Sequence, residues 1–415
     1  MAMTALLPLR TRMASRAGAW VGSASRRLGA GRGTVIGGRV SLAIDPQALG
    51  RLGAGRPLAL VSGTNGKTTT NRLLAAALAT RGPVVSNPGG SNLPSGIVAA
   101  LSGAQLGIQA ALEVDEAYLP AVSLATDPSA VVLLNLTRDQ LDRINEVRKL
   151  ASKWREAAAG WTGTHVVANA DDPLVVWAAG PAGQVTWVAA GQPWKADASG
   201  CPECDSRIAF SGDEWSCDRC GLARPRPNAW LEGNCLVLDQ GPPVPFELSL
   251  PGRFNRQNAA MAAMAAAVMG VPVGQGLAAM GGTANVSGRY ETVDIGGVQT
   301  RMLLAKNPAG WVGMFDLLKD GSDPVVVAIN ARTADGRDPS WLWDVPFEKL
   351  AGRLAVAAGE RAVDMAVRLA YAGVEHLTVA EPLAAIKAAG SRRVDFVGNY
   401  TAFQDLRSAL RRQRR

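Results

Sequence analysis

The segment from Val61 to Thr70 reads Val-Ser-Gly-Thr-Asn-Gly-Lys-Thr-Thr-Thr and carries residue types that bind phosphate groups. Its glycines allow the backbone to curl so that successive N–H groups face anionic oxygens, and a helix starting at Lys67 would add the partial positive charge of its N-terminus. The Lys67 ammonium can reach the β- and γ-phosphates of ATP, and the Thr68 hydroxyl can ligate Mg²⁺. The predicted ATP-binding residues of this loop are Gly63, Thr64, Asn65, Gly66, Lys67, Thr68 and Thr69.

This loop is a variant of the general phosphate-loop pattern. The pattern G-x4-G-K requires a glycine at the position of Val61. A glycine-rich turn without function is the alternative interpretation. It is disfavoured because a predicted strand precedes the loop and a predicted helix follows it.

Four of the five cysteines form the pattern C-x2-C-x12-C-x2-C. Each C-x2-C pair can fold into a tight turn whose two thiolates face one metal ion, and two such turns complete a tetrahedral zinc site with no open coordination position. The alternative is a loop with four reduced thiols, and the fifth cysteine, Cys235, is predicted to be an apolar filler. The predicted zinc ligands are Cys201, Cys204, Cys217 and Cys220.

The formal net charge is +8, and much of the excess lies at the two ends of the sequence. The first forty residues carry seven arginines and no acidic residue. Such clusters are usually solvated, and otherwise they meet the phosphates of nucleic acid or of an anionic membrane surface. A nucleic-acid partner is not expected, because acidic residues outnumber the two arginines in the cysteine-rich segment and would repel phosphates. These acidic residues are Glu203, Asp205, Asp213, Glu214 and Asp218.

Short apolar runs alternate with helical segments along most of the sequence, which predicts parallel α/β sheets. The predicted strands are Leu58–Ser62, Gly107–Val114, Ala130–Asn135, His165–Asn169, Pro324–Asn330, Leu354–Ala358, His376–Val379 and Arg393–Val397. The predicted helices are Lys67–Thr80, Glu146–Ala159, about Asn255–Met269, Arg361–Ala372 and Thr401–Arg412.

Three parts are expected from this pattern. Residues 1–55 form a basic helical segment and linker, residues 56–290 an ATP-binding domain with the zinc ribbon inserted at about 197–228, and residues 291–415 a smaller C-terminal α/β domain. The early apolar stretch Ala5–Leu9 is too short for a secretory signal, and segment 257–288 is broken by Gly and Pro, which favours a buried helix and a turn over a membrane span. We expect a cytoplasmic protein with peripheral contact to the inner face of the membrane.

The phosphate loop Gly-Thr-Asn-Gly-Lys-Thr-Thr resembles that of the Mur ligase family, whose members join a carboxylate to an amine through an acyl phosphate. Further segments resemble the family in the same order along residues 56–310. They are Leu112–Glu116, the Asn-Leu-Thr-Arg-Asp-Gln-Leu-Asp segment at 135–142, Asn169–Pro173, Gly252–Ala260 and Gly288–Glu291. The resemblance implies that Glu113 binds Mg²⁺, that Asn258 lies near the adenine and that Arg289 meets phosphate.

Three features depart from the amino-acid-adding ligases of this family. Gln140 occupies a position where the family usually has histidine, and Lys306 begins a segment that replaces a typical His-Asn-Pro sequence. The C-terminal part is also shorter than an amino-acid-binding domain would require. Together these departures favour a different amine as acceptor.

The loop after the predicted strand Pro324–Asn330 reads Ala-Arg-Thr-Ala-Asp-Gly-Arg-Asp-Pro-Ser-Trp-Leu-Trp-Asp. Together with the zinc ribbon it resembles the ligase-like subunits of lipid II isoglutaminyl synthases. The resemblance implies a GatD-type glutamine amidotransferase partner with a nucleophilic cysteine and a histidine, and lipid II as the substrate at the membrane surface. It also implies that an aspartate of this loop completes the partner's Cys-His pair. The position in the motif favours Asp338, and Asp335 and Asp344 are alternatives.

Three functions are compatible with the sequence. The first is ATP-dependent amidation of the α-carboxylate of D-glutamate to D-isoglutamine, with Lys67, Glu113 and Asp338 as the predicted catalytic residues and ATP, Mg²⁺ and Zn²⁺ as the required cofactors. The second is an amino-acid-adding ligase of the Mur or folylpolyglutamate type. The third is a zinc-containing, nucleotide-regulated binding protein without ligase activity.

Overall fold

The structure is a computed structural model that describes residues 7–27, 33–87, 91–138, 144–283, 290–319 and 321–413. The helices in these ranges are α1 (Leu9–Arg27), α2 (Thr34–Ile44), α3 (Ala48–Gly53), α4 (Lys67–Leu78), α5 (Pro94–Ser102), α6 (Leu119–Thr126), α7 (Ile144–Ala158), α8 (Pro173–Ala179), α9 (Arg253–Val268), α10 (Val273–Gly281), α11 (Pro308–Leu318), α12 (Ala362–Tyr371), α13 (Pro382–Ala388) and α14 (Tyr400–Gln413). Among them, no helix combines the length and the apolar character that crossing a bilayer requires.

The strands form two large sheets and one small hairpin. Their bounds are β1 (Leu58–Ser62), β2 (Val85–Ser86), β3 (Ala110–Glu113), β4 (Ala130–Leu133), β5 (His165–Asn169), β6 (Val185–Ala189), β7 (Ile208–Ser211), β8 (Glu214–Cys217), β9 (Ala229–Glu232), β10 (Cys235–Leu238), β11 (Val244–Pro245), β12 (Tyr290–Ile295), β13 (Val298–Leu304), β14 (Val325–Ala328), β15 (Ala355–Ala358), β16 (His376–Thr378) and β17 (Arg393–Gly398).

The first sheet has the order β11-β10-β9-β6-β5-β4-β1-β3-β2. The seven neighbouring strands β9, β6, β5, β4, β1, β3 and β2 pair in parallel. Strands β10 and β11 extend the β9 edge in antiparallel pairing. Val61 pairs with both Glu113 and Val132, so the carboxyl ends of β1, β3 and β4 lie side by side. Ligand sites of open α/β sheets form at this edge.

The second sheet has the order β12-β13-β17-β14-β15-β16. Its strands pair in parallel except for the antiparallel hairpin of β12 and β13. Gly296 and Gly297 form the hairpin turn with φ of 61° and 87°. A two-residue turn with two positive φ angles favours glycine at both positions.

Both large sheets are covered by helices on their two faces. In β1, Leu58 and Leu60 belong to one buried cluster, whereas Ala59 and Val61 belong to another. In β14, the odd- and even-numbered residues divide in the same way. Strands buried on both faces are apolar throughout, which explains the continuous apolar runs in the sequence.

The predicted α/β class with an inserted ribbon and a second, smaller sheet is confirmed. The predicted strands Leu58–Ser62 and His165–Asn169 coincide with β1 and β5. The prediction Gly107–Val114 is too long, because Gly107 has the positive φ of a turn (80°) and β3 begins only at Ala110.

The N-terminal helices pack closely because small residues line their contact. A Cβ atom on Gly18 of α1 would lie 2.5 Å from the carbonyl oxygen of Gly37 in α2. Asp45 is buried after α2, accepts a hydrogen bond of 2.6 Å from the Thr11 hydroxyl and pairs with Arg51 at 3.0 Å. Burial opposes ionisation of Asp45, but these two partners lower its pKa overall.

Candidate active site

The phosphate loop joins β1 to the twelve-residue helix α4. Gly63 and Gly66 have φ of 143° and 87°, which explains why the curl needs glycine. The first helical hydrogen bond of this region runs from the Thr70 N–H to the Gly66 carbonyl at 2.9 Å. The N–H groups of Lys67, Thr68 and Thr69 precede this bond, and such groups at a helix start can bind an anion.

The segment after β4 holds the phosphate loop in place. The N–H of Thr64 donates to the Asn135 carbonyl and the N–H of Asn65 to the Asn135 side chain, both at 2.9 Å. Thr137 exchanges two hydrogen bonds of 3.0 Å with the Thr64 hydroxyl. These contacts occupy the backbone N–H groups of Thr64 and Asn65, two of the residues predicted to bind ATP. In this structure both N–H groups hold the phosphate loop against the segment after β4.

Lys67 lies in an acidic environment. Its ammonium is 2.5 Å from the Gly63 carbonyl oxygen and 3.1 Å from the Glu116 carboxylate, and the side chain is largely buried. Burial and the neighbouring Glu116 raise the pKa of Asp115, while Lys67 and Lys306 act in the opposite direction. The Lys67 ammonium therefore lies beside Glu116 and the neighbouring Asp115, next to the phosphate loop.

Thr68 and Glu113 are brought together, as the sequence predicts. The Thr68 hydroxyl donates to a Glu113 carboxylate oxygen at 2.8 Å. Glu113 ends β3, and its backbone is fixed by two hydrogen bonds of 2.8 Å with the Asn87 side chain. The pair offers two hard oxygen ligands at one point, which is the donor type that Mg²⁺ prefers.

A cavity of about 170 Å³ opens beside the phosphate loop and runs between the two sheets. Asn258 of α9 lines it, and a Cβ atom on Gly66 would lie 2.6 Å from the Asn258 amide oxygen. Asn307 immediately precedes α11 on the side of the second sheet. Its side-chain amide donates a hydrogen bond of 3.3 Å to the Asn65 side-chain oxygen. Residues from the sides of both sheets, including Phe254 of α9 and Tyr290 of β12, therefore enclose one space.

The four predicted metal ligands form one cluster. The Sγ atoms of Cys201, Cys204, Cys217 and Cys220 all lie within 4.8 Å of one another. Burial raises the pKa of Cys201 to about 12, whereas a backbone hydrogen bond from Ser206 lowers the pKa of Cys204 to about 6. Four thiols in this arrangement are compatible with a zinc ribbon.

The ribbon is fixed to the first sheet and its helices. The Trp215 indole donates to the Ala170 carbonyl at 3.1 Å, and Arg224 pairs with Asp171 at 2.7 Å. Trp177 of α8 donates to Glu203 of the ribbon at 2.6 Å. The acidic residues of the ribbon are thus partly used in contacts within the chain.

The three aspartates of the C-terminal loop have different environments. Asp335 is buried, and its carboxylate accepts hydrogen bonds from the N–H and hydroxyl of Thr401. Asp344 lies 3.8 Å from Arg138 of the first sheet's side. Asp338 is exposed, and hydrogen bonds from the hydroxyl and N–H of Ser340 lower its pKa.

An exposed apolar surface lies next to this loop. Val363, Val367 and Tyr371 follow each other at helical spacing on the outside of α12, and Tyr371 is 77% exposed. The ring of Trp343 meets the Tyr371 ring edge to face, with centroids 5.3 Å apart. We call these four side chains the α12 surface.

Some predicted residues cannot be placed. Arg289 and the segments 139–142 and 284–288 lie outside the described residues. The structure adds residues that the sequence did not single out, namely Glu116 beside Lys67, Asn87 behind Glu113 and Asn307 opposite Asn65. Asn307 and Pro308 retain the last two residues of the family's His-Asn-Pro sequence, and this match is the available signal for Asn307.

Two family models match the sequence. Residues 61–199 match the Mur ligase middle domain, and residues 304–403 match the MurT ligase C-terminal domain.

Two similar proteins are the MurT subunits of lipid II isoglutaminyl synthase (glutamine-hydrolyzing) from Streptococcus pneumoniae (strain ATCC BAA-255 / R6) and Staphylococcus aureus (strain N315). The first is 28% identical over 424 aligned residues, covering 92% of this chain and 93% of its own length. The second is 26% identical over 424 aligned residues, covering 94% of this chain and 95% of its own length.

Among solved structures, the chain is similar to a pseudomurein peptide ligase type C from Methanothermus fervidus. The TM-score is 0.67 at 19% identity, and the match covers 86% of this chain and 79% of the other. At this identity the similarity concerns the fold.

Proposed function

We propose that this chain, which is similar to MurT subunits along nearly its whole length, is the ATP-using subunit of a lipid II isoglutaminyl synthase. It converts the α-carboxylate of D-glutamate in the lipid II stem peptide to the amide of D-isoglutamine. The observation that carries this proposal is the occurrence, in one chain, of a phosphate loop with Thr68 beside Glu113 and of an exposed, ionised aspartate on a separate loop.

The phosphate-loop site would form an acyl phosphate. The substrate carboxylate attacks the γ-phosphorus of ATP, and ADP leaves. Lys67 would stabilise the charge on the transferred group, and Thr68 and Glu113 would hold Mg²⁺, which supplies further charge neutralisation. Asn258 lines the cavity where the nucleotide base would bind, and Arg289 would contact phosphate.

Ammonia would be the second substrate. It attacks the acyl carbon, the bond to the phosphate oxygen breaks, and inorganic phosphate and a proton are released. The names of the two similar proteins describe a glutamine-hydrolyzing enzyme and a subunit of it. We therefore infer that a GatD-type glutaminase supplies the ammonia to this chain.

Asp338 would complete the catalytic centre of that glutaminase. Asp335 is already bound to Thr401 and Asp344 faces Arg138, whereas Asp338 is exposed and ionised. The chain has two histidines. His376 begins β16 at the edge of the second sheet opposite the carboxyl end of β14, and His165 begins β5 in the first sheet, beside Thr186. The histidine that Asp338 orients would therefore come from the partner.

We also propose that residues 56–290 and 291–415 act as the ATP-binding and the glutaminase-contacting domains, after the basic segment 1–55. The enzyme would work at the inner face of the membrane, where its lipid substrate lies.

Mass spectrometry of the product tests the proposed function. The chain, a GatD-type glutaminase, ATP, Mg²⁺, glutamine and lipid II are incubated together. Amidation replaces a hydroxyl by an amino group and lowers the mass slightly, whereas addition of an amino acid would raise it by a residue mass. A heavier product would support the amino-acid-adding alternative, and the absence of both product and ADP would contradict ligase activity.

The cysteine cluster predicts a stability effect. Cys204→Ser is expected to remove bound zinc and to lower the melting temperature by roughly 5 °C or more, because a structural zinc ion contributes directly to folding. Metal analysis and calorimetry measure the two effects. Cys235→Ser, which lies outside the cluster, is the control, and equal zinc content in both variants would contradict the assignment.

The α12 surface predicts a binding effect. Tyr371→Ser is expected to weaken the complex with the glutaminase about tenfold or more, because exposed aromatic side chains carry much of the energy of protein interfaces. Titration calorimetry measures the affinity. Leu124→Ser, at an 87% exposed position of α6, is the control, and an unchanged affinity for Tyr371→Ser would exclude this surface as the contact.

A further inference from the structure

The outer face of α1 is apolar and basic. Leu9, Met13 and Trp20 are 70%, 59% and 75% exposed, and they lie on one side of the helix at a spacing of four and seven residues. Arg12 and Arg16 are exposed on the same side. We call these five side chains the α1 face.

The inner face of α1 explains why the large apolar side chains point outward. Its buried residues are Thr11, Ala14, Gly18 and Gly22, which allow the close approach to α2. A helix on a soluble protein normally turns its large apolar residues toward the core. Here the contact with α2 excludes them, and the side chains with the most apolar area remain on the surface.

The charge around the α1 face has one sign. Arg10, Arg26 and Arg27 are exposed on the same helix, and no acidic residue precedes Asp45 in the sequence. Asp45 itself is buried and is bound to Thr11 and Arg51. A surface that combines tryptophan and aliphatic side chains with several arginines has the chemistry of helices that lie in the interface of an anionic membrane.

The α1–α2 pair is connected to the rim of the phosphate-loop site. The hydroxyl of Thr34 in α2 lies 3.3 Å from that of Ser91, and Gly38 packs against the carbonyl of Ser95. The neighbouring Asn92 carbonyl accepts the N–H of Asp115 at 3.0 Å. The helix pair that carries the α1 face is therefore linked, through the segment 91–95, to the residues beside Lys67 and its acidic neighbours.

We propose that the α1 face docks on an anionic phospholipid bilayer, with Leu9, Met13 and Trp20 inserted among the headgroups and the arginines facing lipid phosphates. The inference deepens the proposed function, because it explains how the enzyme reaches a substrate anchored in a membrane. Its physical basis, however, is the composition of the α1 face alone.

Vesicle sedimentation tests this proposal with the full chain. We expect binding to vesicles of phosphatidylcholine with phosphatidylglycerol and little binding to phosphatidylcholine alone. The triple variant Leu9→Ser, Met13→Ser, Trp20→Ser should bind the anionic vesicles roughly tenfold more weakly. Arg12→Glu with Arg16→Glu should weaken binding by about 25-fold or more, since each basic residue near the surface contributes about fivefold.

Two controls separate this effect from charge, folding and catalysis. The double variant Lys387→Glu, Arg392→Glu changes the net charge by as much as Arg12→Glu with Arg16→Glu does. Its two positions are exposed on the side of the second sheet, and it should retain binding to anionic vesicles. All variants should amidate detergent-solubilised lipid II at the parental rate. If the parent itself does not amidate lipid II, the proposed function fails, and vesicle binding still tests the docking proposal. Equal vesicle binding by the parent and the triple variant would overturn the proposal. It would also be overturned if the triple variant lost binding to the glutaminase and kept binding to vesicles.

Discussion

Lys67→Met should reduce ATP-dependent amidation by about 10³-fold, because the ammonium stabilises charge that develops during phosphoryl transfer in a water-poor site. Lys67 is largely buried at the start of α4, next to the curled loop. Its position therefore allows direct contact with a phosphate bound at the helix N-terminus. Release of ADP in the presence of lipid II and ammonia, without the glutaminase, measures this step alone.

The control for this substitution has to separate catalysis from folding, because removal of Lys67 leaves Glu116 without its partner. Lys149→Met places the same side chain at an exposed position of α7 and should leave the rate unchanged. Thr68→Val should also reduce the rate strongly, whereas Thr70→Val should not, since the Thr70 hydroxyl has no hydrogen-bond partner among the described residues. A parental rate for both Lys67→Met and Thr68→Val would contradict the assignment of this site.

Asp338→Asn should abolish glutamine hydrolysis by the complex, with a loss on the order of 10⁴-fold if the carboxylate orients a catalytic histidine. Asp338 is exposed and ionised, so its replacement by the neutral isostere should not disturb the fold. With free ammonia in place of glutamine, the variant should amidate lipid II at the parental rate. Glutamate release measures the first effect and product mass the second.

The two other aspartates of this loop provide matched comparisons. Asp335→Asn should lower the melting temperature, because its buried carboxylate binds both the N–H and the hydroxyl of Thr401. Asp344→Asn should affect contact with Arg138 and leave glutamine hydrolysis unchanged. If Asp344→Asn stops glutamine hydrolysis and Asp338→Asn does not, then Asp344, and not Asp338, orients the partner's histidine.

Several parts of the site could be predicted because their signals are local. Glycine spacing in the phosphate loop and the paired C-x2-C turns specify short-range geometry, and the structure places Thr68 beside Glu113 and the four cysteines in one cluster. Strands such as β1 and β5 could also be predicted, since burial on both faces leaves a continuous apolar run.

Other parts depend on contacts between distant segments. Glu116 reaches Lys67 because β3 lies beside β1, and Asn307 reaches Asn65 because the two sheets meet there. The sequence contains no periodic signal for either contact. The hairpin of β12 and β13 is a different case. Its Gly296-Gly297 turn is a local signal that could have predicted it. The choice among Asp335, Asp338 and Asp344 required their environments, which depend on Thr401 and Arg138.

The close contact of α1 and α2 has a consequence for mutational tolerance. Any side chain added at Gly18 would collide with the Gly37 carbonyl, so a saturation library should lose substitutions there whatever selection is applied. Substitutions at Trp20, whose side chain contributes little to the contact with α2, should be lost only when growth depends on the enzyme acting in a cell. Comparing the two patterns would distinguish residues kept for folding from residues kept for the physiological setting of the reaction.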